Sequence, residues 1–252
     1  MAVWANIPAS LMNTSQPKPR RFTRQRAVGL FRLSMPQFLI SLVLLLVVMP
    51  FLEDLPIGKV SEAILTTLVL VLGVMAVGKN RRTLLIATLL MGPTLTGKWL
   101  NHLWPDQFRL EFYLLLALLF MAFIMWQLIR FILVSPRVNM DVLCAGLATY
   151  LLLGVAWSFA YVLVGRLAPG AFTLPPGNQM LGVTSIYFSF ITLSTLGYGD
   201  ILPVSHVARM LAAAEAITGT LFMAVFIARL VALYTTQNPG NGPGPTTPDS
   251  IL

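Results

Sequence analysis

The stretch 192–200, TLSTLGYGD, sets two glycines, a tyrosine and an acid side by side between two apolar runs. Glycine weakens a helix or strand and offers no side chain to pack. Its use twice in three residues means that the backbone has a task of its own there. What that task is depends on the medium around it.

The medium is lipid. The chain has 252 residues, 57% of them hydrophobic and only 10% charged, where a soluble domain carries about 25% charged residues. With a mean hydropathy of +0.80, too few charges remain to cover a water-facing surface, so an integral membrane protein is expected. Cys144, the one cysteine, falls in an apolar run. It excludes a disulfide within the chain and reads as a buried structural thiol. The net charge of +8 is gathered at one end: Lys18, Arg20, Arg21, Arg24, Arg26 and Arg32 precede the first long apolar run with no acid among them. That placement marks a cytoplasmic end in contact with anionic lipid headgroups; no nucleic-acid module accompanies it. The long basic region and the lack of a small-residue cleavage site do not fit a secretory signal peptide.

A hydrocarbon core about 30 Å thick needs roughly 20 residues of helix. Six apolar segments fit, at 36–52, 62–78, 83–99, 111–134, 140–165 and 206–234, and predict an all-α membrane protein. The third is the weakest, because Gly92-Pro93 interrupts it and Lys98 must reach outward. A further run, 182–194, is too short to span and reads as a re-entrant helix. With the N-terminus inside, the turns at 79–82 and 135–139 hold Lys79, Arg81, Arg82 and Arg137 and no acid. The opposite turns hold Glu53, Asp54 and Asp106 against Lys59, with Trp104 suited to the interface. This is the positive-inside pattern, with both termini cytoplasmic, as for a bacterial inner-membrane protein. The organisation that follows is a basic segment 1–35, a four-helix module 36–135, a pore-like unit 136–234 and a tail 235–252. The tail, TTQNPGNGPGPTTPDSIL, has too few apolar residues to bury a core and should be disordered. There is no internal repeat.

Non-helical backbone at membrane depth survives only where protein buries it or where it lines a cavity. Gly197 and Gly199 let the strand alternate between ordinary and left-handed angles without a Cβ penalty. Successive carbonyls can then face one side. Four such strands around an axis make rings of oxygens that replace the water shell of a potassium ion. The half-helix before them ends near Ser194, where the negative pole of its dipole favours a cation. Asp200 adds negative charge at the outer mouth.

The residues Thr195-Leu196-Gly197-Tyr198-Gly199-Asp200 resemble the Thr-Val-Gly-Tyr-Gly-Asp selectivity filter of potassium channels, in particular the bacterial two-helix pore family. The likeness covers about 140–234 and continues through Pro203, Arg209 and Gly219. It implies that the carbonyls of Thr195, Leu196, Gly197 and Tyr198 and the Thr195 hydroxyl coordinate potassium as permeant ligand. Tyr198 would then point away from the pore into aromatic packing. The resemblance also implies a homotetramer, each chain supplying a quarter of the filter. It assigns Gly219 as an inner-helix hinge. It places Thr220, Met223 and Ile227, which share one helix face, along the cavity and inner constriction.

The chain departs from the pattern in places. Leu196 replaces valine or isoleucine, and Ser194 stands where threonine is common. The family's Trp-Trp pair is here Tyr187-Phe188. Phe188 cannot donate a hydrogen bond to Tyr198, whereas the Tyr187 hydroxyl can reach Asp200. Glu215, well inside the last apolar run, is a costly intramembrane carboxylate. It either bonds the base of the pore helix or filter, faces the cavity and gathers cations, or is a bonded packing residue without a role in conduction.

In the fourth segment Arg109 and Arg130 sit at opposite ends. Steep voltage dependence needs about three or four gating charges per subunit, so a voltage-sensor ladder is absent and the first four helices read as a scaffold. His102 and His206 make no metal site; His206 reads as a solvated helix start, with pH sensing at the outer mouth the other reading. No catalytic constellation, phosphate loop or cofactor motif is present. The competing readings are a polytopic transporter or membrane enzyme, and a non-conducting subunit that modifies other channels.

Overall fold

Unbroken apolar runs, with no water to satisfy their backbone, must close their hydrogen bonds internally, and the chain does so as helix. The computed structural model describes residues 25–53, 58–78, 81–103 and 110–237. Lys18, Arg20, Arg21, Arg24, Asp54, Lys79, Trp104, Asp106, Arg109 and the tail from 238 lie outside the described residues. Seven helices are described: α1 (Gln25–Glu53), α2 (Gly58–Val77), α3 (Arg81–Leu103), α4 (Leu110–Val134), α5 (Met140–Leu167), α6 (Gly182–Leu193) and α7 (His206–Gln237).

Four of them are long and apolar enough to cross a membrane: α1 over Met35–Leu52, α4 over Glu111–Val134, α5, and α7 over His206–Thr235. The apolar run of α2 is shorter, Ala63–Val77, and α3 carries Arg81, Arg82, Lys98 and His102. α3 is not interrupted at Gly92-Pro93; it runs through Pro93. The Thr94 hydroxyl bonds back to the carbonyl of Leu90, and that of Thr96 to those of Gly92 and Pro93. α1 begins well before residue 36 and passes through Pro36 and Pro50. α7 extends to Gln237, past the expected end at 234.

In lipid, helices associate by close packing rather than by escape from water. α5 is the hub, touching α1, α4, α6 and α7. Its buried Ala145, Gly146, Ala148, Gly154 and Ala156 keep its surface low, and the ring of Phe226 from α7 occupies the space a Cβ at Gly146 would fill. The main core joins Phe38 and Leu42 of α1, Ile124 and Leu128 of α4, and Val142 and Leu152 of α5. Asn139 caps α5, its side chain accepting from the Val142 amide at 3.0 Å, and Asp141 in the first turn suits the positive end of the helix.

One element escaped the periodicity reading. Phe172–Thr173 (β1) and Leu202–Pro203 (β2) pair antiparallel, Phe172 opposite Pro203 and Thr173 opposite Leu202. Two residues are too few to show alternation. The pair ties the α5–α6 connection to the segment beyond residues 195–200. The Val204 amide bonding the Ala171 carbonyl at 2.8 Å extends that tie.

Candidate functional site: the strand after α6

α6 ends at Leu193 with Ser194 as C-cap, and the Ser194 amide and hydroxyl both bond the Phe190 carbonyl. The chain then turns sharply. The Ile191 carbonyl accepts from both Leu196 N at 2.8 Å and Gly197 N at 3.1 Å, while Thr195 N bonds Thr192 O at 2.9 Å. These bonds anchor the start of the strand to the end of the helix by its amides. Among the described residues, no hydrogen bond ends on any carbonyl from 195 to 199.

The backbone alternates as glycine allows. φ is +58° at Thr195, +53° at Gly197 and +81° at Gly199. Thr195 is a β-branched residue in the left-handed region, a strained position of the kind that clusters at functional sites. A run of positive φ at every second residue cannot continue a helix or join a sheet.

Beyond the strand, the Tyr187 hydroxyl donates to Asp200 Oδ2 at 2.8 Å, and its ring stacks on Tyr198, centroids 6.5 Å apart and planes 8° from parallel. The expected Tyr187–Asp200 bond is therefore present. Tyr187→Phe should keep the stack and lose only that bond, and is expected to speed the decay of ion flux in liposomes. An unchanged decay would show that the bond gives the strand no support. Arg209 Nε donates to the Pro203 carbonyl at 3.2 Å, holding the exit of the strand to the start of α7. His206 is the exposed first residue of α7.

Phe188 sits elsewhere. It is buried against Tyr161, centroids 4.8 Å apart, and Phe172, 5.6 Å apart, both edge-on. It packs α6 to α5 and β1, in a cluster whose edge Tyr187 also touches. Gly219 lies against the end of α6: a Cβ there would stand 2.5 Å from the Leu193 carbonyl oxygen. Thr220, Met223 and Ile227 are exposed on a face of α7 that this chain leaves uncovered.

Glu215 is fully buried between α5 and α6. It accepts a hydrogen bond from Tyr161 of α5 and lies 2.5 Å from the Ser189 hydroxyl of α6, which is itself 2.7 Å from the Gly154 carbonyl of α5. Of the three sequence readings for Glu215, both the tie to the short helix α6 and the bonded packing residue match this geometry; an open cavity-facing carboxylate does not. Tyr161, Ser189 and Gly154 were not singled out from sequence, although a serine and a tyrosine in apolar helices near an intramembrane acid are a signal. Arg229 was also missed. Its Nη2 bonds the carbonyls of Leu133 and Ser135 where α4 ends, at 2.8 and 3.1 Å, joining α7 to the end of α4. No group of acidic, His or Cys residues among the described ones could hold a metal.

The family described as ion channel matches residues 142–236, which run from α5 through α7. Protein LctB of Bacillus caldotenax is 31% identical over 102 residues, covering 38% of this chain and 75% of that protein. The chain belongs to the ion channel family. The inward rectifier potassium channel Kirbac3.1 of Paramagnetospirillum magnetotacticum is 30% identical over 95 residues, 36% of this chain and 29% of that channel. The chain thus spans under a third of the length of Kirbac3.1. No solved structure matches. As an ion channel it is an integral membrane protein, and the matched span is the part that holds α6, the 195–199 strand and the Glu215 network. Helices α1–α4 lie before the family match.

Proposed function

We propose that this ion channel is a potassium-selective pore formed by four copies of the chain, passing potassium passively and without enzymatic chemistry. The observation that carries the reading is the strand 195–199. Positive φ at Thr195, Gly197 and Gly199 and unclaimed carbonyls are what a ring of ion-coordinating oxygens requires. In this reading α5 is the outer helix, α6 the pore helix and α7 the inner helix, with α2 and α3 completing six membrane segments. The Thr195, Leu196, Gly197 and Tyr198 carbonyls and the Thr195 hydroxyl hold the ion. Ser194, Tyr187, Asp200, Phe188 and Glu215 support the strand. Gly219, Thr220, Met223 and Ile227 serve the inner helix and cavity.

Self-assembly suits the open surface of the single chain. Leu196 and Tyr198 are exposed, as are Ile217, Leu221, Val225 and Val231 along α7, which leaves this face open to close packing against further copies. Both termini face the cytoplasm, where the basic N-terminal residues meet anionic lipid.

The test is purified protein in liposomes. Potassium flux well above sodium flux, blocked by barium, with cross-linking that stops at four subunits, is expected. Equal flux of both ions would remove selectivity, and substrate-coupled movement would favour a transporter. Flux appearing only with a second channel subunit would make this a modulatory chain. Any subunit number that cannot close a fourfold ring would end the reading.

A further inference from the structure

The contacts around Glu215 demand more hydrogens than its neighbours supply. Three oxygen–oxygen contacts meet there: Tyr161 hydroxyl to Glu215 Oε2, Ser189 hydroxyl to Glu215 Oε1, and Ser189 hydroxyl to the Gly154 carbonyl. Each hydroxyl has one hydrogen, so the two provide two. A carbonyl and a carboxylate are both acceptors only. With Glu215 ionised, the Ser189 hydrogen has two acceptors and serves one, leaving an oxygen pair in contact with no hydrogen between them.

A proton on Oε1 resolves this. Glu215 then donates to Ser189 Oγ, Ser189 donates to the Gly154 carbonyl, and Tyr161 donates to Oε2. A proton on Oε2 would not, because Oε1 and the Gly154 carbonyl would still share the single Ser189 hydrogen. We propose that Glu215 is a proton-bearing carboxylic acid whose single hydrogen completes a lock between α5, α6 and α7, and whose ionisation opens that lock and shuts off conduction. The second half rests on the reading of residues 195–199 as the conducting filter.

The surroundings favour the neutral acid. Glu215 has no exposed surface, and a lone charge in that position is strongly disfavoured. The titratable groups facing it are Tyr161 and, without a bond, Tyr150, both on α5 and both uncharged at neutral pH; α6 offers only the Ser189 hydroxyl. Among the described residues, no cation pairs with it.

The lock is placed where α6 is held. Gly154 has no side chain, and a Cβ there would stand 2.7 Å from the Phe190 ring; that close approach lets Ser189 reach the α5 backbone. When hydroxide takes the proton and becomes water, the carboxylate competes for the Ser189 hydrogen. It wins, because a bond to an ionised acceptor is the stronger one. The Ser189–Gly154 bond is lost, and the helix that carries Ile191, the anchor of the 195–197 turn, is released from the outer helix.

Potassium flux in liposomes should fall about tenfold, the scale of one buried hydrogen bond, as pH rises from neutral into the alkaline range, with the slope of a single proton. Glu215→Gln, whose amide donates to Ser189 and accepts from Tyr161 with nothing to ionise, should conduct with a flat profile. Infrared spectra of the wild type at neutral pH should show a protonated carboxyl stretch that Glu215→Gln lacks. Should Glu215→Gln not fold, Ser189→Ala should move that stretch toward the free-acid position. No protonated band at neutral pH, a band that Ser189→Ala leaves in place, or a pH profile that Glu215→Gln does not flatten would overturn the proposal. A protein with the band and its Ser189 shift but no flux at any pH would keep the lock and refute the channel reading instead.

Discussion

Gly199→Ala is expected to abolish ion flux while the helices stay folded. Gly199 has φ +81°, and no atom lies within 4 Å of the position its Cβ would take. Space within the chain is therefore not the obstacle; the backbone angle is. An L residue forced to such an angle costs about 1–2 kcal/mol, and in the proposed fourfold ring the cost falls on every subunit at the same place. The strand relaxes by rotating the peptide, which turns a carbonyl out of line. Gly177 provides the control, because it has φ +84° and equally open surroundings in the loop between β1 and α6. Gly177→Ala carries the same strain without touching the strand, so it should melt slightly lower and conduct normally. Flux measured for both variants in liposomes, beside thermal melting, checks the pair. Equal conduction by the two would mean that residues 195–199 do not line the pathway.

Gly219→Ala should be the second most damaging change, for a different reason. Its Cβ would meet the Leu193 carbonyl oxygen at 2.5 Å and Leu193 Cδ1 at 2.8 Å. The side chain can yield; the carbonyl cannot, since it belongs to the last residue of α6, from which the strand is hung. α7 must then move away from α6. Overpacking of this kind costs about 1–3 kcal/mol, and the shift is delivered to the base of the strand and to Glu215, one helical turn away. A lowered melting temperature together with lost or weakened flux is expected. A hinge role alone predicts otherwise: unchanged melting, with only the rate of opening altered. Differential scanning of the assembly in detergent separates the two, and normal melting would make the close approach unimportant.

Much of this protein is legible in its sequence because the deciding forces are local. Lipid admits only helix over a long apolar run, so the placement of α1, α4, α5 and α7 follows from composition. A twelve-residue helix too short to span, followed by glycines at 197 and 199, announces an irregular strand at depth, because only glycine reaches those angles without cost. Tyr187 and Asp200 could be paired because the strand between them is short and its direction is set.

What joins distant segments was decided by the tertiary structure. Glu215 is visible as an anomaly in the chain, yet its partners are 26 and 54 residues away, and which helix faces it depends on rotations that no spacing encodes. Phe188 and Tyr187 are neighbours in sequence, but on a helix they point about 100° apart. One therefore bonds Asp200 while the other is buried against α5. Gly219 shows as a glycine in a helix; only the packed Leu193 carbonyl shows what its missing side chain makes room for. Arg229 likewise finds the carbonyls at the end of α4 nearly a hundred residues back. Backbone angles and solvent preference belong to residues one at a time and survive in the sequence, whereas contacts between helices exist only once their relative rotation and register are set.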